Sequence, residues 1–288
     1  GVVVGSGITL SKDGDIFATG VTTSTTFVGT LDGAINSDSN TNVKVGSTAL
    51  DSNTTGTLNV AVGDAALTAN TTGSNNVAVG RNAMIINTTG ESNTAVGRSA
   101  LQQNAASNNT GIGRDALAAN TTGTQNSAVG AFALDANTTG NNNYAAGYNS
   151  LTLNTTGSSN TGVGAFALAN NTTASDNTGV GIQALVNNTT GTHNTAVGHD
   201  SLAANTTAGN NTAIGSLSLS ANTTGAQGTA VGYNALNANT TGNYNVAVGS
   251  QSLEKNTTGG YNVAVGLQAL EENTTASHNT AVGNSALS

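Results

Sequence analysis

A glycine recurs every seventeen residues through most of this chain, and this period constrains the fold more than any other feature. There are fifteen copies, with a single sixteen-residue step between Gly97 and Gly113. A short fixed period indicates stacked repeats that contact only their neighbours, rather than one globular core. The series is Gly46, Gly63, Gly80, Gly97, Gly113, Gly130, Gly147, Gly164, Gly181, Gly198, Gly215, Gly232, Gly249, Gly266 and Gly283.

The repeat unit reads N-[T/V]-A-V-G-x-x-A-L-x-x-N-T-T-G-x-x, with positions 1 to 17 counted from its first Asn. Position 4 is Val or Ile in fourteen copies, and position 9 is Leu in fourteen. Position 12 is Asn in every copy that reaches it. The one-residue deletion falls just after Asn104, in a predicted turn, where changes of length are tolerated best.

Composition excludes several classes of protein. The chain has 288 residues, no Cys, and only 7% charged residues, and a strict apolar period with so little charge argues against disorder. A net charge of −8 with six Lys and Arg disfavours a nucleic-acid partner. No apolar run approaches the roughly 18 residues that a membrane span requires. Neither a cofactor nor a metal ion is predicted.

Two regions are predicted, residues 1–41 and residues 42–288. The first is a β-rich segment in which Asp13-Gly14 lies between β-prone runs, which is typical of a hairpin. A second β-prone stretch runs from Val21 to Leu31, and the polar residues from 35 to 41 are interpreted as a linker. The second region is the repeat array.

The array is predicted to be all-β, a parallel β-solenoid or β-roll of about fifteen seventeen-residue coils. Alternation at positions 1 to 4 favours a strand, and the Gly at position 5 allows a corner. Positions 7 to 10 are interpreted as a second short strand. Asn-Thr-Thr-Gly at positions 12 to 15 suits a type I turn. Helix is disfavoured because Gly and Asn interrupt every turn.

Four positions are expected to form the structural columns of the solenoid. Gly at position 5 turns the corner, and Val at position 4 and Leu at position 9 are expected to be buried. Asn at position 12 is expected to form a ladder of amide hydrogen bonds between coils, and Asn at position 1 a second one. The representative residues are Gly63, Gly80, Gly97, Val62, Val79, Val96, Leu67, Leu101, Leu117, Asn70, Asn87 and Asn120.

A coil with so few large side chains is expected to gain stability from partner chains. Position 3 is Ala or Gly in every copy but the first, and an unbroken line of small residues allows another chain to approach closely. We therefore expect a coaxial homotrimer around that line. The predicted trimer face comprises Ala61, Ala78, Ala95, Gly111 and Ala128.

The array resembles a known family of repeats. Asn93-Thr94-Ala95-Val96-Gly97-Arg98-Ser99-Ala100-Leu101 is similar to the N-S-V-A-I-G head repeat of trimeric autotransporter adhesins, which form a YadA-like left-handed β-roll. Residues 42–288 carry the resemblance, although that family's repeats are mostly about three residues shorter. The resemblance implies a trimer with the small-residue face near its axis, on a bacterial surface and binding a host surface.

The N-terminal segment resembles a different group. The stretches Gly14-Asp15-Ile16-Phe17-Ala18-Thr19-Gly20-Val21-Thr22-Thr23 and Thr26-Phe27-Val28-Gly29 are similar in composition to tail-fibre proteins of marine bacteriophages, including cyanophages. With no coiled-coil stalk in the sequence, this favours the shaft of a bacteriophage tail fibre, located in the virion. Expected partners are further copies of the chain, other fibre or virion proteins, and a host surface glycan or protein.

Other functions remain open alternatives. One is the adhesin head described above, and another is a self-assembling extracellular filament, because both ends of the array are open edges. Columns of Thr raise a minor ice-binding alternative. An enzyme is not predicted, because no Ser, His and acid recur at a common position of the coil.

Two further patterns have both a structural and a functional interpretation. Thirteen Asn-Thr-Thr sequences match the N-glycosylation sequon, but a turn with an Asn ladder also explains them. Aromatic side chains at the variable positions could pack at the rim or bind saccharide or protein. They are Phe132, Tyr148, Phe166, Tyr233, Tyr244 and Tyr261.

Overall fold

The computed structural model describes residues 8–10, 16–18, 36–37 and 41–288. The chain forms two compact units, Gly1–Asp32 and Gly33–Ser288. In the first unit, β1 (Ile8–Leu10) pairs antiparallel with β2 (Ile16–Ala18), so the two arms of the predicted hairpin are present. Its Asp13-Gly14 turn and the stretch from 21 to 31 lie outside the described residues.

The second unit is the predicted parallel β-solenoid. Its sheet has 16 strands, of which β4 to β18 pair in parallel, each with the next along the chain. Before them, β3 (Asn36–Ser37) pairs antiparallel with β4, inside the segment predicted to be a linker. The strands β4 to β18 are Val43–Val45, Val60–Val62, Val77–Val79, Thr94–Val96, Thr110–Ile112, Ser127–Val129, Tyr144–Ala146, Thr161–Val163, Thr178–Val180, Thr195–Val197, Thr212–Ile214, Thr229–Val231, Val246–Val248, Val263–Val265 and Thr280–Val282.

Each strand covers only positions 2 to 4, and equivalent residues of successive coils lie opposite each other, as Ala61 does with Ala78. Backbone bonds continue the ladder beyond the strand. Val77 N donates to the Asn93 carbonyl at 2.8 Å, and Gly80 N donates to the Val62 carbonyl at 2.7 Å. The chain therefore stacks in register around the whole coil.

The glycine at position 5 makes the corner after each strand. Gly63 has a φ of +130°, a conformation that side-chain-bearing residues rarely adopt. A Cβ on Gly63 would also lie 2.7 Å from the carbonyl carbon of Gly80 in the next coil. Conformation and stacking distance each require glycine at this position, and φ stays between +127° and +143° through the column.

The predicted second strand at positions 7 to 10 is wrong, because this segment is a series of turns. Positions 7 and 9 are left-handed, as shown by Ala65 with a φ of 56° and Leu67 with a φ of 51°. Left-handed residues cannot continue an extended strand. The segment still bonds to its neighbour, since Leu67 N donates to the Ala83 carbonyl at 3.0 Å.

Position 3, and not position 4, points into the coil. Ala95 and Ala128 are fully buried, whereas Val96 and Val129 are 37% and 40% exposed. The expectation that the Val62, Val79 and Val96 column is buried is therefore wrong. Alternate side chains of a strand point to opposite faces, and the interior has room only for a small residue here. At Gly111 an added Cβ would lie 3.0 Å from the Ala116 carbonyl oxygen.

This placement also corrects the predicted trimer face. That face lies inside the coil of a single chain, against the Ala and Leu of positions 8 and 9, so another chain cannot contact it. The small side chains at position 3 allow close packing within one coil, not close approach between chains. The corrected residues are Ala61, Ala78, Ala95, Gly111 and Ala128.

Two columns of buried Asn run along the interior. Asn154 Nδ2 donates to Asn137 Oδ1 at 2.9 Å and to the carbonyl of Gly157 at 3.0 Å. In the position 1 column, Asn160 N donates to Asn143 Oδ1 at 3.0 Å, and Asn143 Nδ2 donates to the same Gly157 carbonyl at 2.8 Å. Both predicted ladders are present. The carbonyl oxygen of the position 15 residue accepts a hydrogen bond from each column and so joins them.

The position 12 ladder is interrupted at the one-residue deletion. Asn104 turns its amide toward the Ala106 carbonyl, at 2.8 Å, instead of reaching back to Asn87. The buried Asn87 Oδ1 is left without a hydrogen-bond partner among the described residues. Asn70 Oδ1 and Asn120 Nδ2, on either side of the break, make normal ladder bonds. An unpaired buried acceptor destabilises the fold locally.

We expect Ala128→Leu to lower the free energy of unfolding by about 1–3 kcal/mol, because the filled interior cannot take the larger side chain. The control is Ala131→Leu, the same change at the outward-facing position 6, where Leu267 occurs naturally. It should change stability by less than about 0.5 kcal/mol. Urea denaturation measures both. Equal effects would contradict the placement of position 3.

We expect that replacing Ala105-Ala106-Ser107 with Thr-Thr-Gly-Ser will stabilise the array by about 1 kcal/mol, because Asn104 could then donate to Asn87 Oδ1. Hydrogen exchange of amides in the adjacent coils provides the measurement. An Ala inserted between Thr138 and Thr139, in a regular coil, is the control and should destabilise. Unchanged exchange in the first variant would show that the break has no energetic effect.

Candidate functional site

The corner that follows each strand carries variable side chains, many of which are exposed. Positions 6 and 7 come directly after the corner glycine. In six consecutive coils one of these two positions holds an Arg or an aromatic residue. We call this set the corner strip. Its members, in coil order, are Arg81, Arg98, Arg114, Phe132, Tyr148 and Phe166.

The first half of the corner strip is basic. It holds three of the six Lys and Arg residues of the chain in adjacent coils. Asp115 Oδ2 lies 3.2 Å from Arg98 Nη2 and 3.6 Å from Arg114 Nε, so one carboxylate orients two guanidinium groups. Arg81 makes no ion pair with any residue that the structure describes, and Asp64 lies one coil before it.

The second half of the corner strip is aromatic and touches the first. The guanidinium carbon of Arg114 lies 4.3 Å from the centre of the Phe132 ring, a cation–π contact. Phe132 meets Tyr148 edge to face with ring centres 6.2 Å apart, and Tyr148 meets Phe166 at 5.5 Å. Tyr148 is 50% exposed. Side-chain contacts therefore link the strip from Arg98 to Phe166, and these three aromatics form one group.

A second aromatic group lies at position 17 near the end of the array. The rings of Tyr244 and Tyr261 stack at 4.8 Å, and Tyr261 stacks on His278 at 4.9 Å. The facing surfaces of these rings cover one another, although Tyr244 and Tyr261 remain 45% and 54% exposed. Tyr233 is exposed elsewhere, at position 6.

Ionisable groups around the corner strip are mostly exposed. Asp115 and Asp135 are the exceptions, since the Asp115 side chain is only 19% exposed. Burial raises the pKa of Asp135, although a hydrogen bond from the Thr152 hydroxyl at 2.6 Å opposes that effect and the charge of Asp115 adds to it. At the other end of the array, Lys255 pairs with Glu272, and that hydrogen bond raises the pKa of Lys255. His193 and His199 pair with Asp176 and Asp200 at 3.7 and 3.2 Å and do not converge.

The outer face of the strands is the other extended surface. Positions 2 and 4 line it with Val, Thr and Ile in most coils, and no charged residue occupies either position in any of the fifteen copies. Within the array the position 4 column reaches 42% exposure at Ile214, and Val282 in the last coil is 71% exposed. This uncharged face, apolar at position 4 and mostly Thr or Val at position 2, borders the charged and polar corner, and we call it the strand face.

The Asn-Thr-Thr segments are structural. Their Asn side chains, Asn154 for example, are buried with Nδ2 already donating two hydrogen bonds. The sequon amides between Asn70 and Asn256 are therefore inaccessible in the folded array, whereas Asn53 and Asn273, at the two ends of the ladder, are only partly buried. Of the two Thr, the first bonds to the next coil, as when Thr155 Oγ1 donates to the Thr172 carbonyl at 3.0 Å. The second column, which includes Thr156, is the more exposed of the two.

The sequence-predicted columns take these places. Gly63, Gly80 and Gly97 turn the corner, while Leu67, Leu101 and Leu117 are fully buried, as are Asn70, Asn87 and Asn120. Sequence reasoning missed the three-arginine column. The sequence does show Arg at position 6 in three consecutive coils. Only the coil geometry shows that this column continues into the aromatic residues of the next three coils.

Among the described residues, no group of three or more His, Cys, Asp or Glu side chains is arranged to hold a metal ion. The same residues contain no helix long and apolar enough to cross a membrane.

Comparison with protein-family models, curated proteins and solved structures finds no match to this chain.

Proposed function

We propose that the repeat array is the non-enzymatic shaft of a fibre. The supporting observation is the unbroken register of fifteen parallel strands, in which each coil bonds to the next through backbone and Asn side chains. In such a stack, length grows with the number of coils at about 4.8 Å per coil. The array would then be a stiff spacer about 67 Å long from β4 to β18.

The attribution to a bacteriophage tail fibre is part of the proposal. It is supported by the resemblance of residues 14–29 to phage fibre segments, and the repeat itself also resembles adhesin heads. Binding of the isolated array, residues 42–288, to host cells would favour the adhesin head. A need for sequences outside this chain would favour the shaft.

Deleting whole coils tests the spacer role. Removing residues 160–210, three complete coils from one position 1 Asn to the residue before another, should shorten the particle by about 14 Å, because register is preserved. Removing residues 160–201 ends within a coil, misaligns both Asn ladders and should unfold the array locally. Electron microscopy and circular dichroism measure length and folding. A particle of unchanged length after the three-coil deletion would overturn the proposal.

We place the contact between chains on the strand face. Its position 4 residues are half-exposed and apolar, and burying such surface is worth about 25 cal/mol per Å², repeated in every coil. The neutral face and the charged corner next to it match an apolar interface with a polar rim. In a coaxial trimer, this face rather than position 3 would lie toward the axis.

The double variant Val180→Glu and Val197→Glu tests this contact. It should convert the oligomer to a monomer without unfolding it, since both side chains lie on the outer surface of the coil and like charges would meet across the axis. Thr156→Glu and Thr173→Glu, on the exposed position 14 column, form the matched control and should leave the mass unchanged. Light scattering after gel filtration gives the mass. A monomeric wild-type chain would remove the association and leave the single-chain spacer.

A further inference from the structure

The residues of the corner strip differ from those at positions 6 and 7 of the other coils, and the stacking of the coils does not require them. Position 6 accepts Ser, Ala, Ile and Leu in other coils, so stacking places no demand for arginine there. The coil interior is closed by positions 1, 3, 8, 9, 12 and 15, and none of the strip residues belongs to it. Three arginines followed by three rings therefore require an explanation outside the fold.

We propose that the corner strip binds a linear saccharide that carries carboxylate or sulfate groups. Guanidinium groups present a planar set of donors that matches such oxyanions, often with two parallel hydrogen bonds. Arg81 and the outer edges of Arg98 and Arg114 supply these donors, and both paired arginine side chains remain more than half exposed.

The aromatic half fits the rest of such a chain. The apolar faces of sugar rings pack on aromatic surfaces, and exposed aromatic and Arg side chains are the groups that most often carry binding energy at protein surfaces. Edge-to-face contacts hold Phe132, Tyr148 and Phe166 in place. Little side-chain entropy would be lost when a ligand packs against them.

The dimensions of the strip favour an extended ligand along the coil axis. One residue comes from each of six consecutive coils, so the strip spans about 24 Å at the usual spacing of strands. An acidic group would meet the arginines at one end, and sugar rings would lie along the aromatic end. A single small anion would use only a fraction of this surface.

The carboxylates near the corner strip favour a saccharide over a nucleic acid as its ligand. Asp64 lies one coil before Arg81, Asp115 lies between the other two arginines, and Asp135 lies beyond them. A nucleic acid carries one charge on every phosphate and would be repelled by this mixed field. Sugar hydroxyls can donate hydrogen bonds to the same carboxylates. The charge pattern therefore fits a sparsely charged saccharide rich in hydroxyl groups.

Isothermal titration of the full chain with a hyaluronan oligosaccharide, in which only alternate sugars carry a carboxylate, and with a keratan sulfate oligosaccharide, which carries sulfate but no carboxylate, tests the proposal and separates carboxylate from sulfate recognition. A neutral glucan oligosaccharide and a single-stranded DNA oligonucleotide are the comparison ligands. We expect at least one acidic saccharide to bind at about 0.01 M salt and to weaken steeply toward about 1 M salt, where the Debye length falls to about 3 Å. The glucan and the DNA should bind more weakly.

Three variants localise the site. Arg81→Ser should weaken binding several-fold, and the triple change Arg81→Ser, Arg98→Ser and Arg114→Ser should weaken it at least about tenfold, one unit of 1.4 kcal/mol. Ser is the natural residue at position 6 in Ser47, Ser216 and Ser250, so folding should be retained. Lys255→Ser removes one positive charge far from the strip and should change affinity by less than about twofold.

The aromatic half is tested by Tyr148→Ser, which should weaken binding about fivefold with little change in its salt dependence. Circular dichroism of each variant verifies that the array is folded. The proposal is overturned by no binding of either acidic saccharide at low salt, by equal binding of the glucan, by tighter binding of DNA, or by wild-type affinity in the triple arginine variant. None of these outcomes bears on the shaft, because chain mass and particle length are measured separately.

Discussion

Hydrogen bonds between successive coils are the constraint on which the rest of this structure depends. Each coil of seventeen residues contains only a three-residue strand and one large buried side chain, so it has little that would hold it together alone. The backbone donates to the neighbouring coil around most of its path, and two Asn columns add side-chain bonds in the interior. Because those bonds require identical geometry in every coil, the repeat tolerates little variation at the positions that make them.

The same constraint explains which residues are small. Coils stacked at hydrogen-bonding distance leave no space for a Cβ at the corner, where Gly63 faces the backbone of Gly80. They leave space for only one methyl group at position 3, where Ala95 and Ala128 lie inside the coil. Where the chain loses one residue, the backbone stack continues but the side-chain ladder opens at Asn87. The side-chain ladder is thus the first part of the fold to respond to an irregularity.

Freedom to vary lies on the outside, and function is expected there. The strand face varies little and carries no charge, which suits contact with further copies of the chain. The corner varies widely, and in six coils its residues assemble into a basic and aromatic strip. The proposed shaft, with the proposed saccharide site on its corner, would combine the two functions that the sequence suggested as alternatives. A repeated scaffold allows this because a change at position 6 or 7 costs the stack almost nothing.

The sequence by itself determined the repeat, the coil length, the corner at Gly63 and its equivalents, and the Asn ladders, because each depends on the period and on one residue type. It did not determine which side of the strand faces inward. In a strand of three residues, the alternation of side chains is compatible with either the Val62 column or the Ala61 column facing the interior. The larger apolar side chain of Val favoured the Val62 column, which is the wrong choice. Only the tertiary structure decided this, since the narrow interior holds only Ala or Gly at position 3 in every coil after the first. Left-handed residues such as Leu67 likewise gave no sequence signal, because Leu takes that conformation only where stacking and burial hold it.

The contacts of Arg114 with Phe132, and of Phe132 with Tyr148, also depended on coil geometry, which brings residues sixteen to eighteen positions apart within reach of each other.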